Sequence, residues 1–420
     1  LIPGESSFDT DGVLSRSQAP VLDDDPFDPE VLVDPYPFHQ RMRDAGPVVF
    51  LARYGVWAMA RHAEVANALS DWETFSSAAG VGLADFRKEP AWRPPSLLLE
   101  ADPPAHTAVR KPVLHLMTPK TVQSLRAAFE AAAEELGDEL VAQGEFDAVA
   151  DLAEVYPIRV FADAVGLPEE GRDHLLRYAG MVFNAFGPRN PLFEAAFAEA
   201  APVLEWITAV CQRDALAPGG LGAQIWEAVD RHDITADQAP LLVRSLLSAG
   251  LDTTIFGLGN AVFCLATNPE QYDLLHADPG LARAAFEESL RYEAPVQTFF
   301  RTTTRSVDVD GTVIPSGAKV LLFMGSANRD PRRWGDDAAR YDIRRRTPGH
   351  LAFGTGIHVC VGQFISRLEG ELVLAALARR ARRLDLVADP VPKPNNTLKG
   401  FRHLPVRVTA GPSEHNGRIR

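Results

Sequence analysis

The chain has 420 residues, 46% of them hydrophobic and 23% charged, and 42 Lys and Arg against 56 Asp and Glu leave a net charge of −14. That composition excludes a disordered, collagen-like or coiled-coil chain, and the acidic balance argues against partners such as nucleic acid or an anionic membrane. Cys211, Cys264 and Cys360 stand far apart with no CxxC pair, so a disulfide scaffold and a zinc ribbon both fail and a reducing cytoplasm is expected.

Residues 1–25 read as a loose arm, 26–410 as a single domain and 411–420 as a C-terminal tail. The opening LIPGESSFDTDG is polar and acidic, without the basic region and apolar run of a signal peptide. Val48–Ala60 carries two short apolar-aromatic runs around Arg53-Tyr54-Gly55, which predicts a hairpin. From about Ala63 to Thr298 helical spacing dominates, with helices expected over Ala127–Glu139, Leu192–Ala209 and Ile234–Asn268. The last is apolar nearly all round (Leu242, Leu246, Leu251, Ile255, Val262), as a central buried helix is. Its uncharged stretch Thr253–Pro269 is interrupted by Gly, Asn and Thr and preceded by Asp252, so a soluble core helix is expected rather than a membrane span. Strands follow in FFRTTTRSVDVDGTVIPSGAKVLLF, with turns at Asp310-Gly311 and Ser316-Gly317. One more helix over Cys360–Leu384 and a short β-like tail complete a mainly α chain, a large helical body with small sheets.

Four features carry chemistry. The loop FGTGIHVCVG, from Phe353 to Gly362, delivers Cys360 to the start of a helix. There, free backbone N–H groups and the dipole favour a thiolate able to ligate a soft metal or a haem iron, although free cysteines also serve as small buried hydrophobes. AGLDTT, from Ala249 to Thr254, places Gly250, Asp252 and Thr253 inside the most apolar helix. Gly costs roughly 1 kcal/mol there, so the motif reads as local bonding by Thr253 or as a groove for a small ligand beside a proton-delivering pair. Glu288 and Arg291 share a helical face, which by itself is an ordinary ion pair. His106, Arg110, Arg301 and His358 are scattered cations that together suit two carboxylates.

The ordered set resembles the cytochrome P-450 superfamily of haem-thiolate monooxygenases over nearly the whole chain. FGTGIHVCVG is similar to its haem-binding loop, ESLR (Glu288–Arg291) to its structural Glu-x-x-Arg, AGLDTT to its oxygen groove, and NRDPRRWGDDAARYDIRRR (Asn328–Arg346) to the meander before the loop. The resemblance implies the family's mainly α fold and haem b with O₂ as co-substrate. It makes Cys360 the iron ligand, puts Phe353 in the haem loop, and pairs His106, Arg110, Arg301 and His358 with the propionates. Asp252 and Thr253 would organise protons, Gly250 would leave room for O₂, and Arg340 would join Glu288 and Arg291. No GxGxxG or cluster-binding cysteine set occurs, so electrons are expected from a separate [2Fe–2S] ferredoxin and a flavin-dependent reductase, with Arg367 and Lys111 as docking cations.

The segments AWRPPSLLLEADPPAHT, FNAFGP, VRSLLSAGLDTT and APVQTFFRTTTR further resemble the bacterial branch that oxidises para-substituted benzoates, 4-methoxybenzoate among them. This implies a small aromatic carboxylate held by Arg93, Ser96, Arg244 and Ser245, with Leu99, Phe183, Phe186, Ser248, Ala249, Val296 and Phe299 as the slot. Arg93 and Arg244 have an alternative as surface cations paired with Glu89 or Asp237. Alternatives for the whole are the same chemistry on another aromatic or aliphatic acid, a ligand-sensing haem protein and a peroxide-driven variant; a hydrolase drops out for want of GxSxG and HExxH.

Overall fold

The computed structural model describes residues 19–411. Most of the expected arm and nearly all of the expected tail lie outside that range. Of the arm, Val21–Leu22 form a strand paired in parallel with the first strand of the hairpin. The hairpin is as expected, Val49–Leu51 against Val56–Met59 with Gly55 at φ +63° in the turn. It continues into a six-stranded sheet through Lys319–Phe323 and Thr298–Thr303, ending on Phe75–Ser76.

A second sheet pairs Ala381–Leu386 with Pro405–Ala410 and Glu145–Asp147, and two-stranded ribbons form at Val307–Val309 with Thr312–Ile314 and at Val391–Pro392 with Phe401–His403. Between and beside these sheets lies the helical body. Its main members here are α1 (Ala105–Leu116), α2 (Pro119–Gln143), α3 (His174–Asn184), α4 (Gln238–Ala249), α5 (Asp252–Thr267), α6 (Ala282–Tyr292) and α7 (Gln363–Arg380).

Three helices depart from the sequence expectation, each for a local reason. Leu192–Ala209 divides into Pro191–Ala200 and Leu204–Val210 around a 3₁₀ turn containing Pro202, which lacks the N–H that a continuous ladder needs. Ile234–Asn268 divides into α4 and α5 at Gly250-Leu251. There the Thr253 hydroxyl donates to the Ala249 carbonyl (2.8 Å), the Thr254 hydroxyl to the Gly250 carbonyl (3.3 Å), and the Thr254 amide to Leu251 (3.0 Å). Two side chains have entered the ladder and bent it. Residues 238–267 together are long and apolar enough to span a membrane, yet 61% of the window is buried inside the molecule. The third helix starts at Gln363 rather than Cys360 and ends at Arg380, where the chain turns directly into the second sheet.

Two buried charges brace the body. Arg291 holds both oxygens of Glu288 (2.7 and 2.8 Å) with neither side chain exposed, and donates to the carbonyls of Asn328, Ala338 and Arg340. The third side chain is Arg345, whose Nε lies 3.2 Å from Glu288 and whose other end pairs with Asp337. This corrects Arg340, whose side chain is exposed and which contributes only its carbonyl. The Lys319 ammonium, buried under the main sheet, donates to the carbonyls of Ala79 (3.2 Å), Gly80 (2.8 Å) and Gly82 (2.9 Å). It fixes the loop whose Gly82 touches the backbone of Phe186; a Cβ there would sit 2.8 Å from Phe186 Cα.

Candidate active site

The broken turn between α4 and α5, the loop before α7 and the 93–99 loop enclose a cavity of about 240 Å³. On one side lies Cys360. Its loop is held by the Cys360 amide donating to Phe353 (2.9 Å), and it needs Gly356 at φ +70°, since a Cβ would approach the Leu69 carbonyl to 2.7 Å. The Arg367 guanidinium stacks 4.3 Å over the Phe353 ring and pairs with Glu287, which also takes His350 (2.8 Å). Burial opposes charge on Glu287, but the bonds from His350 and Arg367 prevail and bring it down to about 2. Arg367 is therefore an inward brace, not a free docking cation, whereas Lys111 is exposed on α1.

The thiol itself does not follow the simple dipole expectation. Burial pushes Cys360 up, against the Gly362 and Gln363 amides and the Arg110 and Arg367 charges, and burial wins. The sulfur precedes the helix by three residues, so the amides soften a desolvation cost that a bound cation must overcome.

Beside the thiol stand the four scattered cations. Arg110, Arg301 and His358 line the cavity; His106 stands behind them, its ring centroid 4.5 Å from that of His358. Both ring nitrogens of His106 and Nε2 of His358 are buried without a partner, and burial lowers the pKa of both rings, His358 to about 3. Buried donors without acceptors are costly, and Arg301, 2% exposed, has only the Phe300 carbonyl in hydrogen-bond contact. One thiolate ligand, a ring of unfilled donors and an apolar wall fit a haem with its two propionates.

Across the cavity Gly250 and Thr253 form the bent turn, with Phe161 closing behind. Asp252, only 1% exposed, is placed behind the turn and not in the cavity wall; burial raises it to about 7, Lys393 pulls it down and Glu154 pushes it up. The slot residues Leu99, Phe183, Phe186, Ser248, Ala249, Val296 and Phe299 all line the cavity, Phe186 meeting Phe183 (5.9 Å) and Phe299 (5.7 Å) edge-on.

At the far end Arg93 is not free: its Nη1 pairs with Glu100 at 2.9 Å, a partner other than the Glu89 or Asp237 considered from sequence. Glu100 also accepts the Ser96 amide (2.8 Å), a bond its spacing four residues after Ser96 allows. Arg244, off the cavity wall, donates to the Pro94 carbonyl (2.8 Å), which Arg93 also reaches (2.9 Å). Ser96 and Ser245 hydroxyl oxygens lie 3.4 Å apart on the wall. Two guanidiniums converge there against one carboxylate, so this end keeps a positive excess. Sequence reasoning missed Glu100, Phe161, Arg345 and Glu369, none of which sits in a recognisable motif.

A family profile described as Cytochrome P-450 matches residues 280–405. The chain is 55% identical over 391 residues to Cytochrome p450 CYP199A2 of Rhodopseudomonas palustris, covering 93% of this chain and 95% of that one. Its fold is similar to cytochrome P-450 CYP109Q5 from Chondromyces apiculatus (TM-score 0.78, 31% identity, 93% and 99% of the two chains). It is also similar to cytochrome P-450 CREJ solved with (4-ethylphenyl) dihydrogen phosphate (TM-score 0.82, 27% identity, 92% and 99%).

Proposed function

Because the chain belongs to the cytochrome P-450 family, a haem monooxygenase family using a cysteine-ligated iron and O₂, we propose that it oxidises the para substituent of a benzoic acid. The leading reaction is O-demethylation of 4-methoxybenzoate, with O₂, two electrons and two protons, to 4-hydroxybenzoate, formaldehyde and water. The carrying observation is the positive excess of Arg93 and Arg244 over Glu100, beside Ser96 and Ser245, across an apolar slot from Cys360. A planar aromatic acid needs donors at one end and an apolar slot along its ring. The para-ethyl aryl phosphate bound by CREJ, another para-substituted aromatic anion, supports the reading.

Held through Cys360, the haem supplies thiolate electron push that favours O–O cleavage. Arg110, Arg301 and His358 hold its carboxylates, with His106 behind them. Phe183, Phe186 and Phe299 fix the ring plane and exclude water, while the anionic end, anchored by hydroxyl and guanidinium, fixes which carbon faces the thiolate side. The Thr253 hydroxyl marks where protons arrive, and Asp252, near neutral in its buried place, is tuned to exchange them at physiological pH. In the cytoplasm, electrons would come from a [2Fe–2S] ferredoxin and its flavin-dependent reductase.

A spectral titration tests the anchor: 4-methoxybenzoate is expected to shift the haem to high spin, and neutral 4-methoxybenzamide to bind at least about 10-fold more weakly, the worth of a charge-assisted bond. Equal affinities, or no formaldehyde formed, overturn the proposal.

A further inference from the structure

The search for groups the reading leaves unused ends at Glu369. It lies on α7 in the run SRLEGEL, is 1% exposed, and is the single carboxylic acid among the residues lining the cavity. Its neighbour two positions on, Glu371, is an ordinary surface acid paired with Arg126 (2.7 Å) and Arg283 (3.7 Å). Glu369 has no cation in contact among the described residues. Its Oε1 is buried without a partner, and the one side chain that meets its carboxyl through a hydrogen bond is Thr254, in the bent turn.

The proton inventory decides its state. The Thr254 hydroxyl has one hydrogen, and that hydrogen is donated to the Gly250 carbonyl released by the break. The bond between Thr254 and Glu369 must therefore be donated from the carboxyl side, which requires Glu369 to be protonated. Burial points the same way, raising its pKa well above the usual carboxylate range, with Thr254 the only opposing influence. The chain of donors runs from Glu369 to Thr254 to the Gly250 carbonyl. It ties α7, the helix that follows the thiolate loop, to the turn facing the thiolate across the cavity.

We propose that Glu369 is a positioning residue of the oxygen side: a neutral carboxylic acid that donates to Thr254, thereby fixes the bent Gly250–Thr254 turn, and offers its unpartnered Oε1 to a cavity water beside Thr253. Asp252 stands behind the same turn and Glu369 stands in the cavity wall, so the two acids address the turn from different sides. When the geometry holds, two electrons and two protons reduce O₂ so that one oxygen enters the substrate and one leaves as water. When it slackens, the same electrons and protons leave as H₂O₂. The inference rests on the family chemistry and not on the choice of substrate.

Two measurements test it. Infrared spectra of the holoenzyme are expected to show a protonated-carboxyl stretch that shifts in D₂O and disappears in Glu369→Gln; no such band would overturn the neutral state whatever the substrate is. Peroxide released per NADH, measured with 4-methoxybenzoate and a surrogate ferredoxin pair, is expected to rise several-fold in Glu369→Leu with KM little changed. Glu369→Gln, whose amide can both donate and accept, is expected to stay within about twofold of the parent. Equal peroxide yields in all three would overturn the positioning role. A parent that binds haem yet turns over no benzoate would sink the substrate proposal alone, because the infrared band still reads Glu369.

Discussion

Single side chains here are set by what surrounds them more than by type. The Cys360 sulfur is pushed toward the neutral thiol by burial even with amides and two guanidiniums nearby, so binding of the cofactor and loss of its proton are coupled. Cys360→Ser is expected to lose the red-shifted Soret band of the reduced CO complex, read in a single difference spectrum. Asp252 gives a pH signature. Its folded pKa, about 7, exceeds the ordinary 3.8, so the folded state binds the extra proton between those values and ionisation works against folding as pH rises through them. Asp252→Asn is therefore expected to be near neutral in stability at pH 4, to stabilise by roughly 1–4 kcal/mol at pH 8 by denaturant titration, and to slow turnover by about 100-fold or more. A variant equally affected at both pH values would contradict the buried, raised state. Arg244→Gln, if the anchoring proposal holds, is expected to weaken 4-methoxybenzoate binding about 10- to 100-fold.

Elements show what patterning can and cannot convey. The thiolate loop was readable because Gly354 and Gly356 must adopt positive φ beside a cysteine, and the central helix because its apolar residues run all round. The break within that helix was half readable: Gly250, Thr253 and Thr254 were visible as unusual, but their side-chain bonds to the two released carbonyls depend on the third dimension. Glu369 was illegible, since SRLEGEL has the look of any amphipathic turn and only the packing of α7 against α5 buries one acid and exposes the next. Arg340 and Arg345 stand in one arginine-rich meander with nothing local to tell them apart; the route of the backbone past Glu288 makes the choice. Two variants probe this scale. Gly250→Ala would place a Cβ 2.4 Å from Phe161 Cζ and 2.8 Å from the Leu246 carbonyl, and overpacking of this kind is expected to cost about 1–3 kcal/mol by thermal melt. Lys319→Met would leave three loop carbonyls without their donor, with an expected loss of about 2–4 kcal/mol and faster amide exchange at residues 79–86.

Across the whole molecule, sheets brace one end of a helical mass, and the charges that count are turned inward. Glu287, held down to about 2 by His350 and Arg367 in spite of burial, adds stability above the ordinary carboxylate value that is lost as pH falls toward 2. Arg367→Glu is expected to lower the melting temperature and loosen the cofactor loop at neutral pH, by a few kcal/mol for a broken buried pair, rather than act only on ferredoxin KM. A fully stable variant with normal spectra would return that arginine to the surface role first read from sequence.

The backbone of Gly82 rests directly on that of Phe186, with the Leu83 amide bonded to the Phe186 carbonyl at 2.8 Å. Two walls of the chamber are thus riveted into one panel. A guest cannot part them like curtains; the panel has to swing whole, from hinges lying outside it, and a bulkier side chain at the rivet would leave the door ajar.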